Sequence, residues 1–254
     1  MLLSIDIGIK NMSYCLMNDS SEIVDWNIIN LCRIEKCVCE TKKGKCGKPG
    51  RYICNNKYYC TSHSNKSGVP KVSKLFSKYV DEKRISKKDR ETMFAELGVT
   101  EDHSREDILN HVYNNFMVDV VTRDAKSVSL IDIGKYINKY IPEYIDISTL
   151  SCVIIENQIS TIASRMKVIQ GMVTQFFICN CESIRIEYIS SINKLKYHDV
   201  PKKTYKDRKK SGIEVTKDII SNTEIYKKWE TFFSSNTKKD DLADSFLQAL
   251  WFLR

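Results

Sequence analysis

Long apolar runs are missing from this sequence. No charge-free stretch approaches the roughly 18 to 20 residues that cross a bilayer, and the N-terminus has no basic region, extended apolar core or cleavage site. The expectation is a soluble, intracellular protein with no membrane partner. Glycine is sparse too, with nine in 254 residues, none grouped into the glycine-rich loops that a nucleotide-hydrolysing enzyme uses to cradle phosphates. That weighs against ATP chemistry. Residues 32–63 contain too little apolar material to fold by burial, and residues 67–127 lack strand alternation.

What is present is a chain of globular composition, 42% hydrophobic and 28% charged, long enough to bury a proper core. Forty basic against 32 acidic residues give a formal charge of +8, which permits a polyanionic partner without selecting one. Ten cysteines, many of them clustered, favour reduced thiols and a metal site when no secretory leader accompanies them.

The first strand is Met1-Leu2-Leu3-Ser4-Ile5-Asp6-Ile7-Gly8. An apolar run of this kind is a buried strand, and an acid inside it costs several kcal/mol unless it is paired or bound to metal. Gly8 provides a tight turn with Lys10 and Asn11 at its tip, and residues 12–17 and 22–29 read as two further strands in antiparallel hairpins. A second apolar strand, Ser151-Cys152-Val153-Ile154-Ile155-Glu156, again ends in a carboxylate.

Between these lies the segment with Cys32, Cys37, Cys39, Cys46, Cys54, Cys60 and His63. Zinc takes thiolate and imidazole ligands tetrahedrally, as two close pairs joined by a hairpin. Cys60-Thr61-Ser62-His63 is one pair and Cys46-Gly47 a knuckle ligand. The fourth ligand is assigned to Cys39, with Cys37 open as the alternative, so the expected structural zinc set is Cys39, Cys46, Cys60 and His63. Cys54 reads as a strand residue packing inward. Further on, residues 86–99 and 104–109 read as a helix, a glycine turn and a second capped helix. That pattern resembles the small helix-turn-helix SAP module with which some nucleases hold DNA.

Residues 131–140 form an amphipathic helix that Pro142 closes, residues 162–177 carry apolar side chains at helical spacing, and residues 184–189 read as a strand. Residues 194–210 then pack eight basic side chains (Lys194, Lys196, Lys202, Lys203, Lys206, Arg208, Lys209 and Lys210) into seventeen positions, with Tyr197 and Tyr205 interleaved. A basic loop with aromatics suits a nucleic-acid backbone. In the last stretch, Asn236 or Thr237 caps a helix whose first turns hold Asp240, Asp241 and Asp244.

Asp6, Glu156, Asp241 and Asp244 thus come from three elements, each flanked by sequence that buries it. Four converging carboxylates without balancing buried lysines or arginines repel one another unless divalent cations lie between them, and hard oxygen ligands suit Mg²⁺ or Mn²⁺. Two ions roughly 4 Å apart can activate a water and stabilise the leaving oxygen in phosphodiester cleavage.

The order and spacing of these motifs resemble the RNase H-like superfamily and, within it, the RuvC-type Holliday junction resolvases of poxviruses and other large DNA viruses. The residues carrying the resemblance are Ser4-Ile5-Asp6-Ile7-Gly8-Ile9-Lys10-Asn11, Ile154-Ile155-Glu156-Asn157-Gln158, Tyr205-Lys206-Asp207-Arg208-Lys209-Lys210 and Lys239-Asp240-Asp241-Leu242-Ala243-Asp244-Ser245. The resemblance implies an α/β fold, a mixed sheet flanked by helices, over residues 1–31 and 128–254. Residues 32–66 would be a zinc-binding insertion, and residues 67–127 a basic helical one. It implies Asp6, Glu156, Asp241 and Asp244 as ligands of two Mg²⁺ or Mn²⁺ ions per site, with Asp240 an alternative to Asp241. A lysine of the Tyr205–Lys210 segment, Lys210 before Lys209, would contact the scissile phosphate. Lys10, Lys194, Lys196, Lys202, Lys203, Tyr205, Arg208 and Lys209 would bind DNA. The partners implied are a four-way junction and a second copy of the chain, with helix 161–177 as the interface, and the setting a host cell's cytoplasm or nucleus. Related nucleases acting on flaps, forks or RNA–DNA hybrids share these motifs. Asp6-Ile7-Gly8 also resembles the phosphate loop of actin-like ATPases and sugar kinases, and a non-catalytic zinc-bearing DNA-binding protein would leave the carboxylates unexplained.

Overall fold

The computed structural model describes residues 1–32, 35–81, 83–120, 125, 128–158, 164–201 and 204–254. It divides into two compact units, Met1–Arg33 with Asp124–Arg254, and Ile34–Arg123.

In the first unit β1 (Leu2–Asp6), β2 (Met12–Met17) and β3 (Ile23–Ile29) form an antiparallel meander, while β4 (Cys152–Glu156) pairs parallel to β1 and β5 (Arg185–Ile189) parallel to β4. The order β5-β4-β1-β2-β3 is the mixed sheet that the resemblance implied. The β1–β2 turn needs its glycine, because a Cβ on Gly8 would stand 2.4 Å from the Asn11 carbonyl oxygen.

Helices cover both faces: α1 (Leu130–Tyr144), α2 (Ser164–Asn180), α3 (Tyr205–Asn222), α4 (Glu230–Ser235) and α5 (Lys239–Phe252). Because side chains alternate along a strand, Leu3, Ile5, Val153 and Ile155 point to one face, where they pack with Ile133, Ile137 and Tyr140 of α1 and Ile169, Val173 and Phe177 of α2. Leu2 and Ile154 point to the other, against Trp26, Phe233 and the α5 residues Leu242, Ala243 and Phe246. Strands buried on both faces are why β1 and β4 read as continuous apolar runs. Among the described residues no helix is long and apolar enough to cross a membrane.

Three local expectations are corrected. Pro142 does not close α1, which continues to Tyr144; within the last turn its missing N–H removes only one helical bond. The basic stretch 194–210 is not one loop, since Tyr205 starts α3 under a capping box in which Thr204 N donates to Asp207 Oδ2 and Asp207 N to Thr204 Oγ1, both at 3.0 Å. The cap of α5 is Lys238 rather than Asn236 or Thr237, because Asn236 Oδ1 accepts from Lys238 N at 2.9 Å before the helix begins.

The second unit contains the hairpins Glu40–Thr41/Gly44–Lys45 and Tyr52–Cys54/Lys57–Tyr59, and the latter adds Val118–Asp119 as a third strand. Its helices Lys74–Val80, Lys87–Leu97 and Arg105–Asn115 bury Phe76, Met93, Phe94, Leu97, Ile108 and Val112 together. Ser86 and Ser104 cap the second and third of these, each Oγ accepting at 3.1 Å from Asp89 N and Asp107 N.

Candidate active site

Asp6 and Glu156 end adjacent parallel strands that pair Ile5 with Ile155, so both emerge at the same sheet edge. Alternation puts them on the face of Leu2 and Ile154, the face that α5 covers. Trp26 Nε1 donates to the Leu242 carbonyl at 3.1 Å, the Ser13 hydroxyl to the Asp241 carbonyl, and Gln248 Nε2 to the Ile5 carbonyl at 3.4 Å. Those bonds anchor α5 over β1, β2 and β3, and the result brings Asp244 to the strand ends. Carboxylate oxygens of Asp6, Glu156 and Asp244 lie within 4.8 Å of one another.

A lysine completes this group. Lys194, in the 3₁₀ turn Ser191–Leu195 after β5, is only 7% exposed, with Nζ 2.7 Å from Glu156 Oε2 and 3.1 Å from Asp244 Oδ2. The expectation of converging acids without a balancing buried lysine is therefore corrected, and Lys194, expected on the DNA-binding surface, is interior. Burial works against its charge, but Asp6, Asp244 and Glu156 together hold it above the ordinary lysine range. Burial pushes Asp6 well above the usual carboxylate range, with Lys194 opposing and Glu156 and Asp244 reinforcing. Burial also raises Asp244, while Glu156 is lowered because a hydrogen bond from Asp6 and the nearby lysine outweigh its burial. Burial and the neighbouring carboxylates thus work against ionisation at Asp6, while the hydrogen bond and the lysine favour it at Glu156.

Asp241 does not join the trio. Its Oδ1 lies 3.7 Å from Lys209 Nζ, and Asp240 pairs with the same ammonium. Lys209 sits over the Tyr205 ring at 5.4 Å. Burial raises Asp241, helped by Asp240; burial opposes but Lys209 lowers Asp240. Lys210, the first choice for the phosphate, pairs instead with Glu214 at 3.7 Å and its side chain is 77% exposed. Consecutive helical residues diverge by about 100°, so only one of the two lysines can face α5. Lys10, Lys196, Tyr205 and Arg208 are exposed, whereas Lys202 and Lys203 lie outside the described residues.

The donor set fits divalent metal. Three hard-oxygen carboxylates face one ammonium, which leaves negative charge in a half-buried site that Mg²⁺ or Mn²⁺ would offset. Sequence reasoning missed the interior position of Lys194. Its signal was faint, lying in the apolar neighbour Leu195 within an otherwise basic run.

In the second unit Cys46, Cys60 and His63 come together with Cys37, their ligand atoms all within 4.8 Å. Cys39, the expected fourth ligand, is outside that group. Burial raises the Cys37 thiol, but hydrogen bonds from the Cys60 and Cys39 backbone and from His63 outweigh it and bring the thiol down to about 6. Cys54 packs inward and donates to the Asn114 carbonyl at 3.4 Å.

Comparison with known proteins gives a family match, Poxvirus A22 protein, over residues 105–254. The chain is 25% identical to uncharacterized protein L451 of Acanthamoeba polyphaga mimivirus over 316 aligned residues, covering 99% of this chain and 74% of that one. Among solved structures it is similar to the fowlpox virus resolvase in complex with substrate Holliday junction DNA, with TM-score 0.46, 14% identity and coverage of 99% and 95%. It is also similar to the yeast mitochondrial Holliday junction resolvase Ydc2, with TM-score 0.42, 17% identity and coverage of 99% and 78%.

Proposed function

The chain belongs to the Poxvirus A22 protein family, and from that premise we propose that it is a Holliday junction resolvase, a metal-dependent endodeoxyribonuclease that nicks paired strands of a four-way DNA junction. The observation carrying this reading is the meeting of Asp6, Glu156 and Asp244 around Lys194 at the ends of two parallel strands. Mg²⁺ or Mn²⁺, two ions per site, would supply an activated water and charge stabilisation at the leaving oxygen.

The chain's own residues have separable tasks. Asp6, Glu156 and Asp244 would hold the ions, and Asp241, three positions earlier on α5 and paired with Lys209 in the metal-free chain, would be the fourth ligand. Lys194 orients Glu156 and Asp244 through its two ion pairs. Lys209, steadied by Asp240 and Tyr205, is the cation next to the acidic helix and takes a phosphate near the cut, a role that its pairing with α5 favours over Lys210. Lys10, Lys196 and Arg208 are exposed cations for the more distant backbone. Paired nicks require two sites, so the working unit is a homodimer; Val168 and Ile178 on α2, 44% and 55% exposed, supply apolar surface for it. Junction DNA as substrate implies action inside a host cell.

The test uses purified protein with end-labelled four-way junction, linear duplex, flap and RNA–DNA hybrid, each with Mg²⁺ or EDTA. The reading expects symmetric paired nicks in the junction, abolished by EDTA and by D244N or D241N. A preference for flap or hybrid would reassign the substrate, and EDTA-resistant cleavage, or none on any substrate, would overturn the proposal.

A further inference from the structure

Residues 35–66 contain a second set of metal-binding side chains that the nuclease reading leaves unused. The segment has almost no core of its own: from 35 to 52 only Cys37 and Gly50 are buried among the described residues, and both strands of the Glu40–Thr41/Gly44–Lys45 hairpin are exposed. Two short hairpins with so little apolar burial require another cross-link.

The geometry of the four side chains supplies one. Cys37 Sγ lies 3.3 Å from His63 Nδ1, Cys60 Sγ 3.5 Å from the same nitrogen, and Cys46 Sγ 3.9 Å from Cys60 Sγ. With zinc bonds of about 2.3 Å to sulfur and about 2.0 Å to nitrogen, the edges of a tetrahedron come to roughly 3.8 Å for S–S and roughly 3.5 Å for S–N. The three observed edges match these to within a few tenths of an ångström. A disulfide does not account for them, because the 3.9 Å Cys46–Cys60 separation is far beyond an S–S bond of about 2.05 Å.

Backbone bonds hold the ligands in place. Cys37 N donates to Lys48 O at 2.8 Å and Cys46 N to Cys39 O at 2.9 Å, closing a loop around the basic hairpin. Gly47, at φ +64°, turns the chain sharply after Cys46, a left-handed position that favours glycine. Cys60 precedes the short helix Thr61–Lys66 that carries His63, and three residues apart on one turn the two side chains share a face.

We infer that Cys37, Cys46, Cys60 and His63 bind one structural zinc ion that clamps the hairpin 40–45 to the end of strand Lys57–Tyr59. Three thiolates and one imidazole in a closed tetrahedron suit zinc and leave no open coordination position, so the ion takes no part in hydrolysis. Cys39 is the neighbour that sequence spacing favoured and that the tetrahedron leaves out. The clamp holds Lys42, Lys43 and Lys45, all exposed, on a fixed ribbon instead of a loose loop.

The test is made on the full chain. Elemental analysis of dialysed protein should return about one zinc per chain, and cobalt exchanged for it should give the thiolate charge-transfer and intense visible bands of a tetrahedral site. C37S should lose the zinc and the cobalt bands, while C39S keeps both. Should C37S fail to fold, chelation of the wild type under hydrogen exchange decides: amides of 37–48 should lose protection while those of β1 and β4 keep theirs. Folded wild type without zinc, C39S losing the metal while C37S retains it, or chelation leaving 37–48 protected would each overturn the inference. None of these readouts depends on nuclease activity, so its failure and that of the resolvase reading are distinguishable.

Discussion

Replacing Lys194 with methionine keeps the length and apolar stem of the side chain and removes the ammonium. In the folded protein Lys194 is 7% exposed and its ammonium is bonded to both Glu156 and Asp244 at 2.7 and 3.1 Å. Its loss leaves three half-buried carboxylates facing one another. Breaking a buried ion pair on one side costs about 3–5 kcal/mol, a large share of the roughly 5–15 kcal/mol that holds a domain together. With a urea slope of about 2 kcal/mol/M the midpoint should fall by roughly 2 M. The assay is tryptophan fluorescence in EDTA, because Trp26, Trp229 and Trp251 all lie in the first unit and report it alone. Saturating Mg²⁺ should recover part of the loss, since a ligand at a hundred times its dissociation constant adds about 2.7 kcal/mol, and the gain should exceed that of wild type, in which the ammonium already neutralises part of the site. Lys196→Met, on the exposed neighbour, should stay within about 0.5 kcal/mol of wild type. A K194M protein as stable as wild type in EDTA would refute a packed lysine among the carboxylates.

The remaining predictions concern the same site and its scaffold. Asp6 holds its proton above the usual carboxylate range, through burial first, so the metal-free native state binds more protons than the unfolded chain above the ordinary Asp value. This group's contribution therefore falls as pH rises through that window. D6N in EDTA should be more stable than wild type at neutral pH, and its urea midpoint should decline less steeply than that of wild type as pH rises above the ordinary Asp range; equal slopes would contradict the assignment. Lys209→Ala should weaken junction binding and reduce its salt slope by about 1, whereas Lys210→Ala, removing an exposed Glu214 pair, should change the slope less; filter binding over a salt series separates them. Trp26, fully buried, stacks on Phe233 at 5.3 Å and bonds the Leu242 carbonyl, so W26A should cost about 3–5 kcal/mol and also loosen the first turns of α5, seen as faster amide exchange at Asp241 to Asp244.

Legibility followed the physics of each element. β1 and β4 stand out as apolar runs because both faces of a central strand are buried, and an acid at the end of such a run marks itself by its cost. Asp6 and Glu156 were visible for that reason, and Asp244 because it continues the acidic face of a helix with an apolar opposite side. The division of labour between Lys194, Lys209 and Lys210 was not visible. All three belong to one basic stretch, and what separates them is a 3₁₀ turn tucked under α5 in one case and about 100° of helical phase in the other two. Cys37 and Cys39 are two residues apart, and the selection of Cys37 depends on where the bonds to Lys48 and Cys46 turn each thiol.

By itself the amino-acid order determined the strands, the chain order of the acids, the cysteine-rich and helical insertions, and the family to which these belong, because hydrophobic period and residue chemistry are local properties. Only the tertiary structure decided that three carboxylates meet and Asp241 turns to Lys209, that a lysine sits among them, and that Cys37 gathers with Cys46, Cys60 and His63. Each of these depends on strand register, helix phase and packing between segments more than a dozen residues apart, where charge and distance act through space and not along the chain.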